Sequence, residues 1–160
     1  MVIAVRKAKK RDRPYLLRLI RNSGAFNNEE KAVAIELVEA ALRTKEEDRD
    51  YKLLLAEGGR GDIAGYICYG PTPMTEGTWD VYWIIVSPRK RRSGIGKKLL
   101  QGAQGEIRAR GGRRIIIDTS MQASYRPARA LYESCGYRVI ATVPNYYKAR
   151  WHRVTYYMKL

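Results

Sequence analysis

Arg89-Lys90-Arg91-Arg92-Ser93-Gly94-Ile95-Gly96-Lys97 is the stretch on which the reading of this chain turns. It joins an apolar strand pattern to a helical one. Two glycines let the main chain approach a ligand closely and take conformations that other residues avoid. The first turn of a helix adds unpaired N–H groups and a positive dipole end, which suits a phosphate or pyrophosphate. Two familiar phosphate loops do not fit. A P-loop needs glycine at 91 and Ser or Thr at 98, where Arg91 and Lys98 stand. A dinucleotide fingerprint needs a third small residue at 99, where Leu99 stands.

Outward from the loop, Thr78–Val86 reads as a strand closed by Ser87-Pro88. Strict alternation would put Asp80, Tyr82, Ile84 and Val86 on one face and Val81, Trp83 and Ile85 on the other. Gly94–Arg110 reads as a helix with an Ile95, Leu99, Ala103, Ile107 stripe and a Gly111-Gly112 stop. Arg114–Asp118 is a short apolar strand. The strand–helix–strand passage from Trp79 to Thr119 implies two parallel neighbours joined by a right-handed crossover.

Further out, Ile3, Val5 and Ala8 suggest a first strand, and Pro14 opens a helix that ends near Asn22-Ser23-Gly24. Asn27 and Glu30 can form a capping box for a second helix carrying Ala34, Ile35, Val38, Ala41 and Leu42. Tyr51–Ala56 and Ile63–Tyr69 form a hairpin about Gly58–Asp62. Ser124–Cys135 is a last helix, with Pro127 in its first turn and Gly136 as its stop. Tyr137–Val143 and Val154–Leu160 close the chain as strands. The fold class is α/β (α+β): a mixed, mostly antiparallel sheet with one central parallel pair and helices on both faces. Residues 1–160 read as a single domain, the usual size of one.

Composition narrows the class. No apolar run approaches the ~20 residues of a membrane span, and the start, Met1–Val5, is too short for a signal peptide. Cys68 and Cys135 lack metal-ligand spacing and read as buried thiols in a reducing cytoplasm. The many arginines and few amides hint weakly at a thermophile, in which a Cys68–Cys135 bond would be less surprising. The net charge is +15, and residues 6–21 hold eight bases against one acid. Residues 29–62 reverse the balance, with ten acids against six bases. A basic face of this kind attracts polyanions, with nucleic acid among them.

At the loop, Arg91-x-x-Gly94-x-Gly96 after an apolar strand resembles the coenzyme A loop of the GNAT acetyltransferases. Ile84-Ile85-Val86-Ser87-Pro88 resembles the strand before that loop. Ala128-x-x-Leu131-Tyr132-Glu133-x-x-Gly136-Tyr137 resembles the family's last helix and its exit. Tyr69–Pro73 and Val143–Tyr147 resemble one microbial branch. The resemblance implies an N-acetyltransferase with acetyl-CoA as co-substrate and no metal or redox cofactor. It implies that Ile84, Ile85 and Val86 pair with the pantetheine arm through their backbone. It implies that Arg91, Arg92, Ser93, Gly94, Ile95, Gly96 and Lys97 surround the pyrophosphate. Tyr132 matches the family's tyrosine acid, and Asp80 and Asp118 fall where members carry a strand base. Tyr125 stands where many have an asparagine facing the cofactor, and could bind there or line the acceptor side. The final turn, Lys148–Arg153, is basic where the branch is acidic, and its His152 reads as a surface turn residue.

Partners expected on this basis are acetyl-CoA and an amine. A homodimer and a polyanion or nucleic-acid contact through the basic face stand beside them, and the expected location is the cytoplasm. The rival class is a nucleic-acid-associated protein on the same scaffold, with Tyr146-Tyr147-Lys148-x-Arg150-Trp151 as a stacking platform. As for the amine, a lysine side chain at pH 7 carries a deprotonation handicap of roughly 4.6 kcal/mol, against about 1–1.4 kcal/mol for an α-amine. Two short aspartates and a basic final turn favour an amine of low pKa attached to an anionic group, such as an amino acid or peptide α-amine. The acids of 29–50 are the alternative acceptor site.

Overall fold

The computed structural model describes residues 2–45 and 50–160. Glu46, Glu47 and Asp48 of the alternative acceptor segment lie outside the described residues. The elements run β1 (Ala4–Lys7), α1 (Arg13–Arg21), α2 (Asn28–Arg43), β2 (Lys52–Glu57), β3 (Ile63–Pro71), β4 (Thr78–Val86), α3 (Ile95–Ala109), β5 (Arg114–Ser120), α4 (Arg126–Ser134), β6 (Arg138–Lys148) and β7 (Trp151–Lys159). The strands form one sheet in the order β1-β2-β3-β4-β5-β7-β6. Every neighbouring pair is antiparallel except β4 and β5, as the strand–helix–strand passage predicts.

Local chemistry sets the helix ends. Asn27 and Glu30 make the expected capping box, each side chain accepting from the other's backbone N–H at 2.8 Å. Pro14 and Pro127 sit in first turns, where a missing N–H costs nothing. Gly111 (φ 77°) follows the end of α3, and Gly136 (φ 88°) follows the end of α4.

The sheet carries an apolar layer on each face. One holds Leu99, Leu100, Ala103 and Ile107 of α3 with Ile67, Ile115, Ile117 and Tyr132. The other holds Leu16 and Ile20 of α1 and Val38 and Ala41 of α2 with Leu53, Leu55, Tyr66 and Ile85. Full burial of each such aliphatic side chain contributes roughly 1.5–3 kcal/mol. Cys68 belongs to the second layer and Cys135 packs against the first, so the sheet separates two free thiols. Cys135 is half-buried rather than buried.

Two expectations are corrected. Strict alternation fails in β4: Cys68 pairs with Trp83 but Tyr69 with Val81, so Tyr82 is an extra, bulged residue. The bulge flips the pattern. Trp79, Val81, Ile84 and Val86 therefore share the α3 face, while Tyr82, Trp83 and Ile85 share the α1–α2 face. The basic segment Lys148–Arg153 is also not a long turn. Lys148 pairs with Trp151, leaving Ala149-Arg150 as the turn, with Arg150 at φ 65°.

Asp12 ties β1 to the start of α1. It is 3% exposed and accepts from both terminal nitrogens of Arg6, at 2.8 and 2.9 Å, and from the Lys9 N–H at 2.7 Å. Arg6 also donates to Glu57 of β2. Hydrogen bonds from Arg6 hold the Asp12 carboxyl below its ordinary range. A lowered pKa gives stability that is present above the unfolded-chain value and lost as pH falls through the folded one. Asp12→Asn should therefore lower unfolding free energy by about 1–3 kcal/mol at pH 7. The gap from the parent should narrow below about pH 4. Urea unfolding at pH 7 and pH 3.5 checks this; a gap that is the same at both would refute the linkage.

Candidate functional site

The basic loop becomes a single turn, Pro88–Lys90, followed by a strained entry into α3. Arg92 has φ 62° and Gly94 has φ 77°, two left-handed residues within three positions. A non-glycine residue held there is the kind of strain that gathers at ligand sites. The first α3 backbone bond runs from Lys98 N–H to Gly94 C=O, and Gly94 supplies no side-chain cap. The N–H groups of Ile95, Gly96 and Lys97 thus lack intrahelical partners. Arg91, Arg92 and Lys97 are exposed and have no acidic partner among the described residues. A Cβ on Gly96 would meet Leu131 Cδ2 of α4 at 2.7 Å, so only glycine lets α3 and α4 approach this closely. The loop thus offers directed N–H donors and free cations, and fits a pyrophosphate.

Below the loop the sheet forks. β4 and β5 pair only at Thr78/Arg114, Trp79/Ile115 and Asp80/Ile116. Beyond that, β4 stays with β3 as far as Val86, and β5 stays with β7 as far as Ser120. The β5-facing edge of Ile84, Ile85 and Val86 has no strand partner, an opening suited to an extended amide-bearing chain.

The two aspartates stand one on each prong. Asp80 closes the paired part of β4, and Asp118 lies two residues past the fork on β5. Each is held by a threonine: Thr72 Oγ1 donates to Asp80 at 2.6 Å, and Thr155 Oγ1 to Asp118 at 2.5 Å. Burial raises the Asp80 carboxyl above its ordinary range, and the charge of Asp118 adds to the rise. Asp118 is exposed, with Arg153 Nε 3.7 Å away.

Tyr132 of α4 is 5% exposed and packs edge-on against Tyr137 and Tyr156. Its neighbours' hydroxyls are engaged: Tyr137 accepts from Gln104 at 3.2 Å, and Tyr156 donates to Glu133 at 2.8 Å. The Tyr132 hydroxyl has no such partner among the described residues. Burial pushes its pKa up, so it holds its proton at neutral pH.

The α1–α2 side of the fork carries residues that the sequence did not single out. Phe26 packs against Trp83 at 4.6 Å between ring centroids and stacks on Tyr125 at 6.5 Å. The Tyr125 hydroxyl donates to Glu30, whose other oxygen closes the capping box. Tyr125 is therefore turned towards α2. Burial raises the Tyr147 hydroxyl above its ordinary range, and the charges of Asp118 and Glu30 add to the rise while that of Arg153 opposes it. His152 Nδ1 accepts from the Asn145 N–H at 2.9 Å and so braces the hairpin. No local pattern marks Phe26 and Trp83 as neighbours, because they come from separate segments, and Glu30, Tyr147 and Arg153 were marked only for other roles. A groove of about 400 Å³ on α1, lined by Arg13, Arg18 and Arg21, lies apart from these residues.

Known proteins share the family and the fold. The sequence model of the Acetyltransferase (GNAT) family matches residues 17–137. A crystal structure from Desulfovibrio desulfuricans, assigned to the GNAT family, superposes with a TM-score of 0.91 at 36% identity, covering 99% of both chains. The uncharacterized N-acetyltransferase YsnE of Bacillus subtilis is 38% identical over 55 residues, 34% of this chain. That match spans only 36% of YsnE's own length. The acetyltransferase yncA of Salmonella typhimurium, solved with its cofactor acetyl-CoA, shares the fold with a TM-score of 0.77 at 20% identity, covering 100% of this chain and 95% of that one.

The loop geometry gives a direct test. Gly94→Val forces a β-branched residue to φ 77°, and Gly96→Val drives Leu131 aside. Both variants should fold by circular dichroism yet lose at least ~10-fold in acetyl-CoA affinity by calorimetry, since strain of 1–3 kcal/mol is at stake. Gly105→Ala, whose Cβ would meet nothing within 4 Å, should bind as the parent does. Folded Gly94 and Gly96 variants with parental affinity would remove the loop from the site.

Proposed function

The chain belongs to the GNAT family of acetyltransferases, whose co-substrate is acetyl-CoA, and on that premise we propose that it moves the acetyl group directly to a primary amine within a ternary complex. The observation that carries the proposal is the fork: an open strand edge with two carboxylates at its base and a tyrosine proton left uncommitted.

The chain's residues divide the work. The loop N–H groups and cations hold the pyrophosphate, and the open edge of Ile84–Val86 aligns the pantetheine arm. A backbone N–H near Ile85 or Val86 stabilises the tetrahedral oxyanion. Asp118, or Asp80 through water, takes the proton that the attacking amine releases. As the C–N bond forms and the C–S bond breaks, Tyr132 gives its proton to the departing thiolate. Desolvation favours these roles, because it keeps Tyr132 protonated and makes Asp80 a better base than a free aspartate. The acceptor is an amine of modest pKa, matching aspartates that sit at a distance rather than in direct contact.

A nucleic-acid-associated role on the same scaffold gains no support from the hairpin. Lys148 Nζ already lies over the Trp151 ring at 3.8 Å, and Arg153 over Tyr146 at 4.3 Å. Faces covered by the protein's own cations are poor platforms for bases.

Tyr132→Phe keeps the ring and removes the proton. Turnover should fall on the order of 10²-fold or more with acetyl-CoA affinity held, the usual size of a general-acid effect. Single-turnover thiol release beside calorimetry reads both quantities. An unchanged chemical step would return Tyr132 to a packing role. Asp80→Asn and Asp118→Asn, measured in the same way, assign the base: the larger fall in turnover marks it, and two parental rates would exclude both.

A further inference from the structure

Arg153 opens the outer end of the fork's β5–β7 prong, paired in register with Ser120. Its side chain is about three-quarters buried, yet it makes no hydrogen bond among the described residues. The Nε atom is buried and makes no hydrogen bond among the described residues. The guanidinium carbon lies over the Tyr146 ring, 4.3 Å from its centroid, a contact that uses none of its N–H donors in hydrogen bonds. Asp118 is at 3.7 Å from Nε, close enough for attraction but beyond a hydrogen bond, and one Asp118 oxygen is already taken by Thr155. On β4, the Trp83 indole N–H is likewise buried without a hydrogen-bond partner. Arginine presents a fixed fork of five donors that matches a carboxylate two bonds at a time. Leaving buried donors unmade is costly, and a recurrent reason for such groups in a native fold is a ligand that completes them.

We propose that Arg153 is the anchor for the α-carboxylate of the acceptor, and that the acceptor is a free α-amino acid rather than the N-terminus of a peptide. The inference rests on the acetyl-transfer reading and names the substrate class of that same site. The spacing supports it. In an α-amino acid the amine and the carboxylate are carried by one carbon, and here a carboxylate and a guanidinium stand side by side in the opposite order. Asp118 faces the amine and takes its proton, while the Arg153 edge faces the carboxylate. A peptide or an amino-acid amide presents only a neutral carbonyl at that place, which accepts from one N–H and brings no charge to the guanidinium.

The test compares L-phenylalanine, L-phenylalaninamide and the aminophosphonate analogue of phenylalanine, with rates expressed per neutral amine. Thiol release gives kcat/KM, and calorimetry on the coenzyme A complex gives acceptor affinity without turnover. The parent should prefer the acid to the amide by at least ~10-fold, and Arg153→Gln should collapse that ratio towards one. Arg153→Lys, which keeps the charge but not the fork, should restore only part of it. A purely structural role for Arg153 would weaken both acceptors together and leave the ratio intact, which would overturn the proposal. So would a parent that binds or acetylates the amide as well as the acid, or one that prefers the phosphonate. If coenzyme A binds and the acid binds through Arg153 but no amine is acetylated, the anion subsite stands and the acetyl-transfer reading falls.

Discussion

The structure depends on a pairing that stops early. β4 and β5 are parallel neighbours for three register pairs and then separate. In an uninterrupted sheet the edges beyond Asp80 and Ile116 would be satisfied by each other, and no ligand could reach them. The bulge at Tyr82 fits this parting, since an extra residue adds twist and leaves the ladder locally unmade. Beyond it, β4 follows β3 while β5 follows β7, and the cleft between them is lined by main chain. That cleft sits under the left-handed loop of Arg92 and Gly94, so one end is electropositive and the other carries carboxylates.

Charge placement follows from the same fork. The carboxylates lie close enough for Asp118 to raise the pKa of Asp80, and each is oriented by a threonine hydroxyl rather than neutralised by a tight ion pair. A hydrogen bond from Thr72 lowers the Asp80 pKa, but desolvation outweighs it. A full salt bridge at Asp80 would have opposed the rise that burial gives its carboxyl. Asp12 shows the contrast: bonded twice to Arg6, it is held strongly acidic and serves only to join β1 to α1.

Most of the architecture was legible in the sequence, because its signals are local. The Asn27–Glu30 box, Pro14, Pro127 and the glycine stops mark helix ends by chemistry that depends on near neighbours. The parallel pair followed from strand–helix–strand order. The faces of β4 were misassigned, because a bulge is decided by the partner strand and leaves no period in its own sequence. The final hairpin was also longer than expected. Its β6 strand is exposed along almost its whole length, so it lacks the apolar alternation by which strands are recognised. The two aspartates and Tyr132 could be found as motif positions. The aromatic wall and Arg153 could not, since their meaning arises only when distant segments converge.

The net charge of +15 can now be placed more closely. Part of it surrounds the loop, where Arg91, Arg92 and Lys97 remain unpaired. Part lies on α1, in the groove of Arg13, Arg18 and Arg21. Such exposed charges act at long range and are screened by salt over about 8–10 Å. They raise the local concentration of anions but discriminate poorly among them. Arg153 differs in kind, being mostly buried, stacked on a ring and opposed by a single carboxylate. Screening reaches such a group only weakly, so its selectivity should survive moderate salt. On the proposed reading, the surface charge governs how fast anionic substrates arrive, while the guanidinium of Arg153 governs which of them is held for reaction.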